Sequence, residues 1–344
     1  MHSSKLLVFL SSLTIISSSP TPKWHSLPPI PLSPRQEHST VFLPPSTLAI
    51  LGGIVPSTDP TLQFPIATTP LMQFYSLKNS TWSTKAPLPM PLNHVNAAIV
   101  DGKIYSLGGL AEAPGPDRVW RAVANSYMYD PATDHWTTIQ KMPDGEARGS
   151  AAIGVYDKKI YLAGGLIDLE LSGNYTQRTV AVVSIYDTQS QTWLTVPAAA
   201  RFMPARRDHA GASVVGSKLY VLGGRDHGPE NVQDQVFVLD LCDLEAGWRT
   251  SGARMPTARG GIAAGVVGAK VYTFGGEGNV KADSGVFDQV EAYDTVADAW
   301  ESVGTMRIPR HGTYAVGVRG KVYIPGGGLK QGGLPVADFD VFVP

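Results

Sequence analysis

Strand-length apolar segments recur along the chain, and each ends on a pair of glycines. LAIL, KIYSL, KIYLA, KLYVL, KVYTF and KVYIP run into Gly52-Gly53, Gly108-Gly109, Gly164-Gly165, Gly223-Gly224, Gly275-Gly276 and Gly326-Gly327, 51 to 59 residues apart. Turn residues such as Asp101-Gly102 and Gly216-Ser217 introduce these segments, so each reads as the second strand of a tight hairpin. Downstream comes an aromatic or apolar residue followed by Asp (Tyr129-Asp130, Tyr186-Asp187, Leu239-Asp240, Tyr293-Asp294), with Phe74-Tyr75 and Phe339-Asp340 as variants. Six to eight residues further on stand Trp82, Trp136, Trp193, Trp248 and Trp300. A unit of four short strands with a period of about 50 cannot bury both faces alone, whereas a ring of such units can.

This succession of strand, Gly-Gly, Tyr-Asp and Trp resembles the kelch repeat over nearly the whole chain. The resemblance implies an all-β, six-bladed kelch-type β-propeller in which the Tyr and Trp side chains fill the space between blades. The last unit lacks a downstream Trp, while Trp24 precedes the first unit. The N-terminal strand is therefore expected to complete the C-terminal blade and close the ring, leaving no frayed seam. Residues 20–344 are then one propeller, expected to work as a monomer.

In a four-stranded meander the turns between strands one and two and between strands three and four share one face. Here those turns are short, which makes that face inert in expectation. The stretches after each Gly-Gly, residues 54–70, 110–123, 166–179, 225–233, 277–285 and 328–335, are expected to be long irregular loops on the other face, where binding usually resides. The leads into each first strand reach the same face. They read Pro34-Arg35-Gln36-Glu37-His38, Pro91-Leu92-Asn93-His94, Ala147-Arg148-Gly149, Ala205-Arg206-Arg207-Asp208-His209, Ala258-Arg259-Gly260 and Pro309-Arg310-His311. The resemblance to kelch-type adaptors implies that arginines here line the central opening and grip acidic peptides. This chain matches at Arg35, Arg148, Arg206 or Arg207, Arg259 and Arg310, and departs at Leu92. Such guanidiniums would suit an anionic ligand through bidentate bonds; the alternative is that they pair with acidic residues inside the blades. Arg225 and Trp120 complete the candidate ligand-binding set, Trp120 as an exposed stacking platform or as a residue folded over its own blade.

Asp208, His209, Asp226 and His227 crowd into the fourth unit and are the candidates for general acid–base chemistry. Two functions follow: a propeller that binds a protein partner or a small polar or anionic ligand, or an enzyme of epimerase, isomerase or lyase type acting on a sugar or other hydroxylated small molecule. No phosphate-cradle, dinucleotide or metal-ligand motif is present, and the Tyr-His pair of copper radical oxidases is missing. No cofactor and no metal are expected.

Composition narrows the rest. The chain is 344 residues long, 43% hydrophobic and 17% charged, which is enough for a large core. Its 28 Lys and Arg against 29 Asp and Glu give a net charge of -1, without the basic field that nucleic acid binding needs. Residues 1–19 hold Lys5, an apolar run from Leu6 to Ile16 and then serines, the form of a secretory signal peptide that is too short to span a membrane. A secreted glycoprotein is expected, with sequons at Asn79 and Asn174. The single cysteine, Cys242, excludes an intramolecular disulfide.

Overall fold

The computed structural model describes residues 22–59, 65–114, 119–171 and 176–344. Apart from a single 3-10 turn at Leu244–Ala246, the regular structure among them is all β. Four units form separate four-stranded antiparallel sheets. The first holds Ser39–Leu43, Thr47–Leu51, Met72–Ser76 and Thr81–Lys85; the fourth holds Gly211–Val215, Lys218–Leu222, Val236–Asp240 and Trp248–Thr250. The fifth holds Ala263–Val267, Lys270–Phe274, Gln289–Asp294 and Ala299–Thr305. In the last, Val316–Val318, Lys321–Pro325 and Phe339–Val343 are joined at the outer edge by Lys23–Ser26, with Trp24 opposite Phe342.

The second and third units depart from six separate sheets. Their strands, Ala97–Val100, Lys103–Glu112, Val119–Asp130 and His135–Thr138 with Ala152–Tyr156, Lys159–Glu170, Gln177–Asp187 and Thr192–Leu194, share one eight-stranded sheet. The join is Val119–Arg121 paired with Asp168–Glu170. The stretches expected as irregular loops here are strand extensions, because strand-forming apolar residues continue past the glycines (LAE, LIDLE, VWRAV) and the two long hairpins satisfy each other's backbone. Short hairpins also replace irregular loop at Ile54–Pro56 with Ile66–Thr68 and at Gly328–Lys330 with Gly333–Pro335.

The first strands of the units touch one another in chain order, and Val316–Val318 comes back against Ser39–Leu43. The glycine pairs dock each unit on the next. The second glycine donates its N–H to the carbonyl of the residue at the next unit's arginine position: Gly53 to Leu92, Gly109 to Arg148, Gly165 to Arg207, Gly224 to Arg259, Gly276 to Arg310, and Gly327 to Arg35. At Gly53 the φ of +100° and the approach of the Gln36 carbonyl, 2.6 Å from where a Cβ would stand, leave room for glycine alone.

Within a unit the aromatics pair across the outer two strands, Tyr75–Trp82, Tyr129–Trp136, Tyr186–Trp193 and Tyr293–Trp300 meeting tilted or edge-on with centroids 5.0 to 5.2 Å apart. Trp24 meets Phe342 at 4.9 Å. The register places Phe342, opposite Val322, where Tyr293 stands opposite Val271, so Phe342 and not Phe339 is the last unit's counterpart of the Tyr. Indole N–H groups reach back to the preceding unit: Trp136 to the Ala86 carbonyl at 3.0 Å, Trp248 to Ala200 at 3.1 Å, and Trp24 to Thr305 at 3.1 Å.

Candidate functional site

Six residues surround a common centre where the leads of the six units meet. Glu37, His94, Ser150, His209, Gly261 and Gly312 stand at one repeat position, two after the arginine position, and all have φ between +49° and +64°. Each backbone N–H reaches the preceding unit: His94 to the Glu37 carbonyl, Ser150 to His94, Gly261 to His209, Gly312 to Gly261, and Glu37 to Gly312. His209 differs, donating to the Ser150 hydroxyl at 3.2 Å. Three positions carry large side chains and the others almost none, so Glu37, His94 and His209 fill the centre. A Cβ on Gly312 would collide with the Glu37 carboxylate.

The residue before each of these pairs antiparallel with the one following a glycine pair, which brings Asp208 beside Arg225 and Gly260 beside Glu277. His94 Nε2 lies 2.9 Å from His209 Nε2 and 3.3 Å from Glu37 Oε2. Asp208 Oδ1 is 2.5 Å from His209 Nδ1 and 3.0 Å from Arg225 Nε. Thr179 and Gln177 also donate to Asp208, and Arg225 closes an ion pair with Glu277. His311 Nδ1 is 3.3 Å from Glu277 Oε2 and 3.8 Å from Glu37 Oε1. All these groups are buried.

Burial would raise the Glu277 carboxyl, but His311, Arg225 and His209 outweigh it and hold the pKa at about 2. Burial likewise opposes ionisation of Asp208, yet the hydrogen bond from His209 and the Arg225 charge keep it below the ordinary carboxylate range. His94 is driven well below the usual imidazole value by burial first and by the cationic neighbours second.

Of the residues singled out by sequence, Asp208, His209 and Arg225 converge in this cluster. Asp226 and His227 do not. They pair with each other at 2.5 Å on the rim, with Arg206 at 3.4 Å from Asp226. Trp120 is no exposed platform: it is buried among Ile54, Ile66, Leu110, Leu166 and Leu171, its ring 5.8 Å from that of His94. Asn79 is exposed in a turn; Asn174 and residues 1–19 lie outside the described residues.

The arginine expectation needs the larger correction. Arg35, Arg148, Arg207, Arg259 and Arg310 line no opening; their side chains are buried inside the units. Arg148 donates to the Gly164 and Leu162 carbonyls and the Ser184 hydroxyl, and Arg35 to Gln73 and the Leu71 carbonyl. Arg259 pairs with Glu291 at 2.5 Å and Arg310 with Asp340 at 2.9 Å. Arg207 donates to Gln235 and stacks over Phe237. Burial pushes the guanidiniums of Arg35, Arg148 and Arg207 down to about 10. Arg225 is also internal, its charge met by Asp208 and Glu277, which leaves Arg206 as the arginine of this set that faces solvent.

Sequence reasoning passed over Glu37, His94, Glu277 and His311 as site residues. Aligning the units on their glycine pairs exposes them: Glu37 and His94 share the repeat position of His209, and Glu277 follows its glycines as Arg225 does. The opposite face is not featureless either. A cleft of about 830 Å³ there runs past Tyr156, Tyr161, Leu194, Cys242 and Leu244.

A family model described as the KLHDC2/KLHL20/DRC7 Kelch-repeats domain matches residues 10–224 and, in an overlapping placement, 149–343. The chain belongs to the kelch-repeat family. Kelch-like protein terF of Aspergillus terreus (strain NIH 2624 / FGSC A1156) is 40% identical over 347 residues, covering 98% of this chain and 72% of that protein. Kelch repeat and BTB domain-containing protein 12 of Homo sapiens is 28% identical over 174 residues, covering 50% of this chain and 27% of that protein. The solved structure of YjhT superposes with a TM-score of 0.71 over 91% of this chain and 95% of that one at 18% identity, a likeness of fold: an all-β propeller. No helix among the described residues of this kelch propeller is long and apolar enough to cross a membrane.

Proposed function

We propose that this kelch chain is a six-bladed propeller that docks a protein partner on the face carrying the post-glycine loops. The blade count rests on the six repeat units, with the eight-stranded sheet read as two blades joined by their hairpins. The cyclic contact of the first strands supports closure.

One observation carries the choice of face. Among the described residues, Leu32, Phe202, Val280, Leu334 and Val296 are the large hydrophobic side chains left exposed, and the first four belong to the loop face, at 58% to 93% exposure. Val280, Leu334 and Leu32 sit on neighbouring loops: Gln331 N–H donates to the Ser284 carbonyl, and Arg35 N–H to the Val336 carbonyl. Apolar side chains held in water on a rigid scaffold favour a protein surface as the occupant over a small anion. The enzyme reading is not carried forward, since Asp208 and His209 are engaged by their own neighbours. Export directed by residues 1–19 is part of the proposal; recovery of an intact Met1 terminus from the cytosol would contradict it.

The test compares two tagged, folded variants in the native host, one with Leu32→Asp, Val280→Asp and Leu334→Asp together and one with Val296→Asp. The triple variant is expected to lose the partner that the wild type retains, and Val296→Asp to keep it. Equal retention by both variants would overturn the assignment.

A further inference from the structure

We propose that Glu37, His94 and His209 bind a divalent transition-metal cation of the zinc class at the centre of the propeller. The three come from the first, second and fourth units, and their ligand atoms lie within 4.8 Å of one another. The separations are 2.9 Å between the two Nε2 atoms, and 3.3 and 3.8 Å from these to Glu37 Oε2. Ligand atoms about 2.0–2.1 Å from one zinc ion stand roughly 3 to 3.5 Å apart, so the His94–Glu37 pair has the spacing of a shared ion and the other two pairs come to it with shifts of a few tenths of an ångström.

Hydrogen bonding fixes which ring nitrogens are free. The Asn93 amide nitrogen donates to the Thr68 hydroxyl at 2.8 Å, so its oxygen faces His94 Nδ1 at 2.5 Å and that nitrogen carries the proton. His209 Nδ1 likewise donates to the Asp208 carboxylate. With Nδ1 engaged in each ring, both Nε2 atoms converge on a carboxylate oxygen. Arg225 Nη2, 3.2 Å from His209 Nε2, would have to give way to an ion there. Imidazoles oriented through Nδ1 by a carboxylate or an amide oxygen are the arrangement that metal-binding histidines adopt.

The surrounding charge points to the same occupant. Glu37, Asp208 and Glu277 gather around a single buried guanidinium, Arg225, an excess of carboxylate over guanidinium that favours a bound cation. Two imidazoles and one carboxylate favour zinc, cobalt, nickel or iron over calcium or magnesium, which take oxygen ligands. The cation would tie three blades together at the axis.

The test uses the full chain, stripped with a chelator, dialysed and titrated with Co²⁺ as a visible probe. One Co²⁺ per chain is expected, with d–d bands that Zn²⁺ abolishes and a rise in the unfolding temperature. Glu37→Gln and His209→Gln should lose the bands, and His135→Gln, altered at an exposed site, should keep them. If wild-type protein shows neither bands nor a stoichiometric ion, the cluster shares protons instead and the proposal falls. Bands that persist in both Glu37→Gln and His209→Gln would equally overturn it.

Discussion

Replacing Arg259 with Met tests whether the arginines at the strand leads are internal fittings or ligand contacts. The Arg259 side chain is fully buried and donates to Glu291, to the Thr273 hydroxyl at 3.0 Å and to the Thr257 carbonyl at 3.2 Å. Methionine fills part of the volume but leaves the Glu291 carboxylate buried, with the Thr257 hydroxyl, 2.7 Å away, as its remaining side-chain donor. Removing one partner of a buried ion pair costs about 3–5 kcal/mol. With a urea m-value of about 3 kcal/mol/M, the midpoint should fall by roughly 1 to 1.7 M. The double variant Arg259→Met with Glu291→Leu removes the stranded charge along with its partner, and is expected within about 2 kcal/mol of wild type, above the single variant. Arg206→Met, on the exposed rim, should change stability by less than about 0.5 kcal/mol. A wild-type midpoint for Arg259→Met would refute the reasoning, and so would a double variant as unstable as the sum of the two singles.

Two other perturbations address the seam between the last and first units. Trp24→Ala removes a half-buried indole that packs on Phe274 and Phe342 and donates to Thr305, and should cost about 2–3 kcal/mol in chemical denaturation; an unchanged midpoint would contradict closure through the N-terminal strand. His38 is buried, and burial first, with Arg35 second, lowers its pKa to about 3. The unfolded chain takes up this proton near pH 6.5 and the native state not until about 3. Stability from this residue is therefore complete above pH 6.5 and declines by about 1.4 kcal/mol per pH unit as the pH falls toward 3. Subtracting the pH profile of His38→Leu from that of wild type should recover this slope, and parallel profiles would contradict it.

The scaffold was legible because its requirements are local and repeated. Each Gly-Gly marks a backbone contact with the next unit, each Tyr and Trp a slot between sheets, and Trp24 could be found as the indole missing after the last unit. The arginines were misread because their burial depends on the third strand. Gln73, Ser184, Glu291 and Asp340 stand two residues before the repeat aromatic, and each receives an arginine from the start of its own unit. In the second unit that position is Tyr127 and the arginine position is Leu92, an apolar exchange at both ends. In the fourth it is Phe237, and Arg207 stacks on the ring. This pairing was present in the repeat alignment but invisible in the strand leads alone. The central cluster was harder to see, since Glu37, His94 and His209 come from three units and meet only through the packing of one unit on the next.

Photo-crosslinking in the native host tests the docking face most directly. A photoreactive amino acid placed singly at positions 280, 334 and 296 samples both faces of the same folded ring. Adducts with a second protein are expected from positions 280 and 334 and not from 296. Adducts from 296 alone would contradict the account.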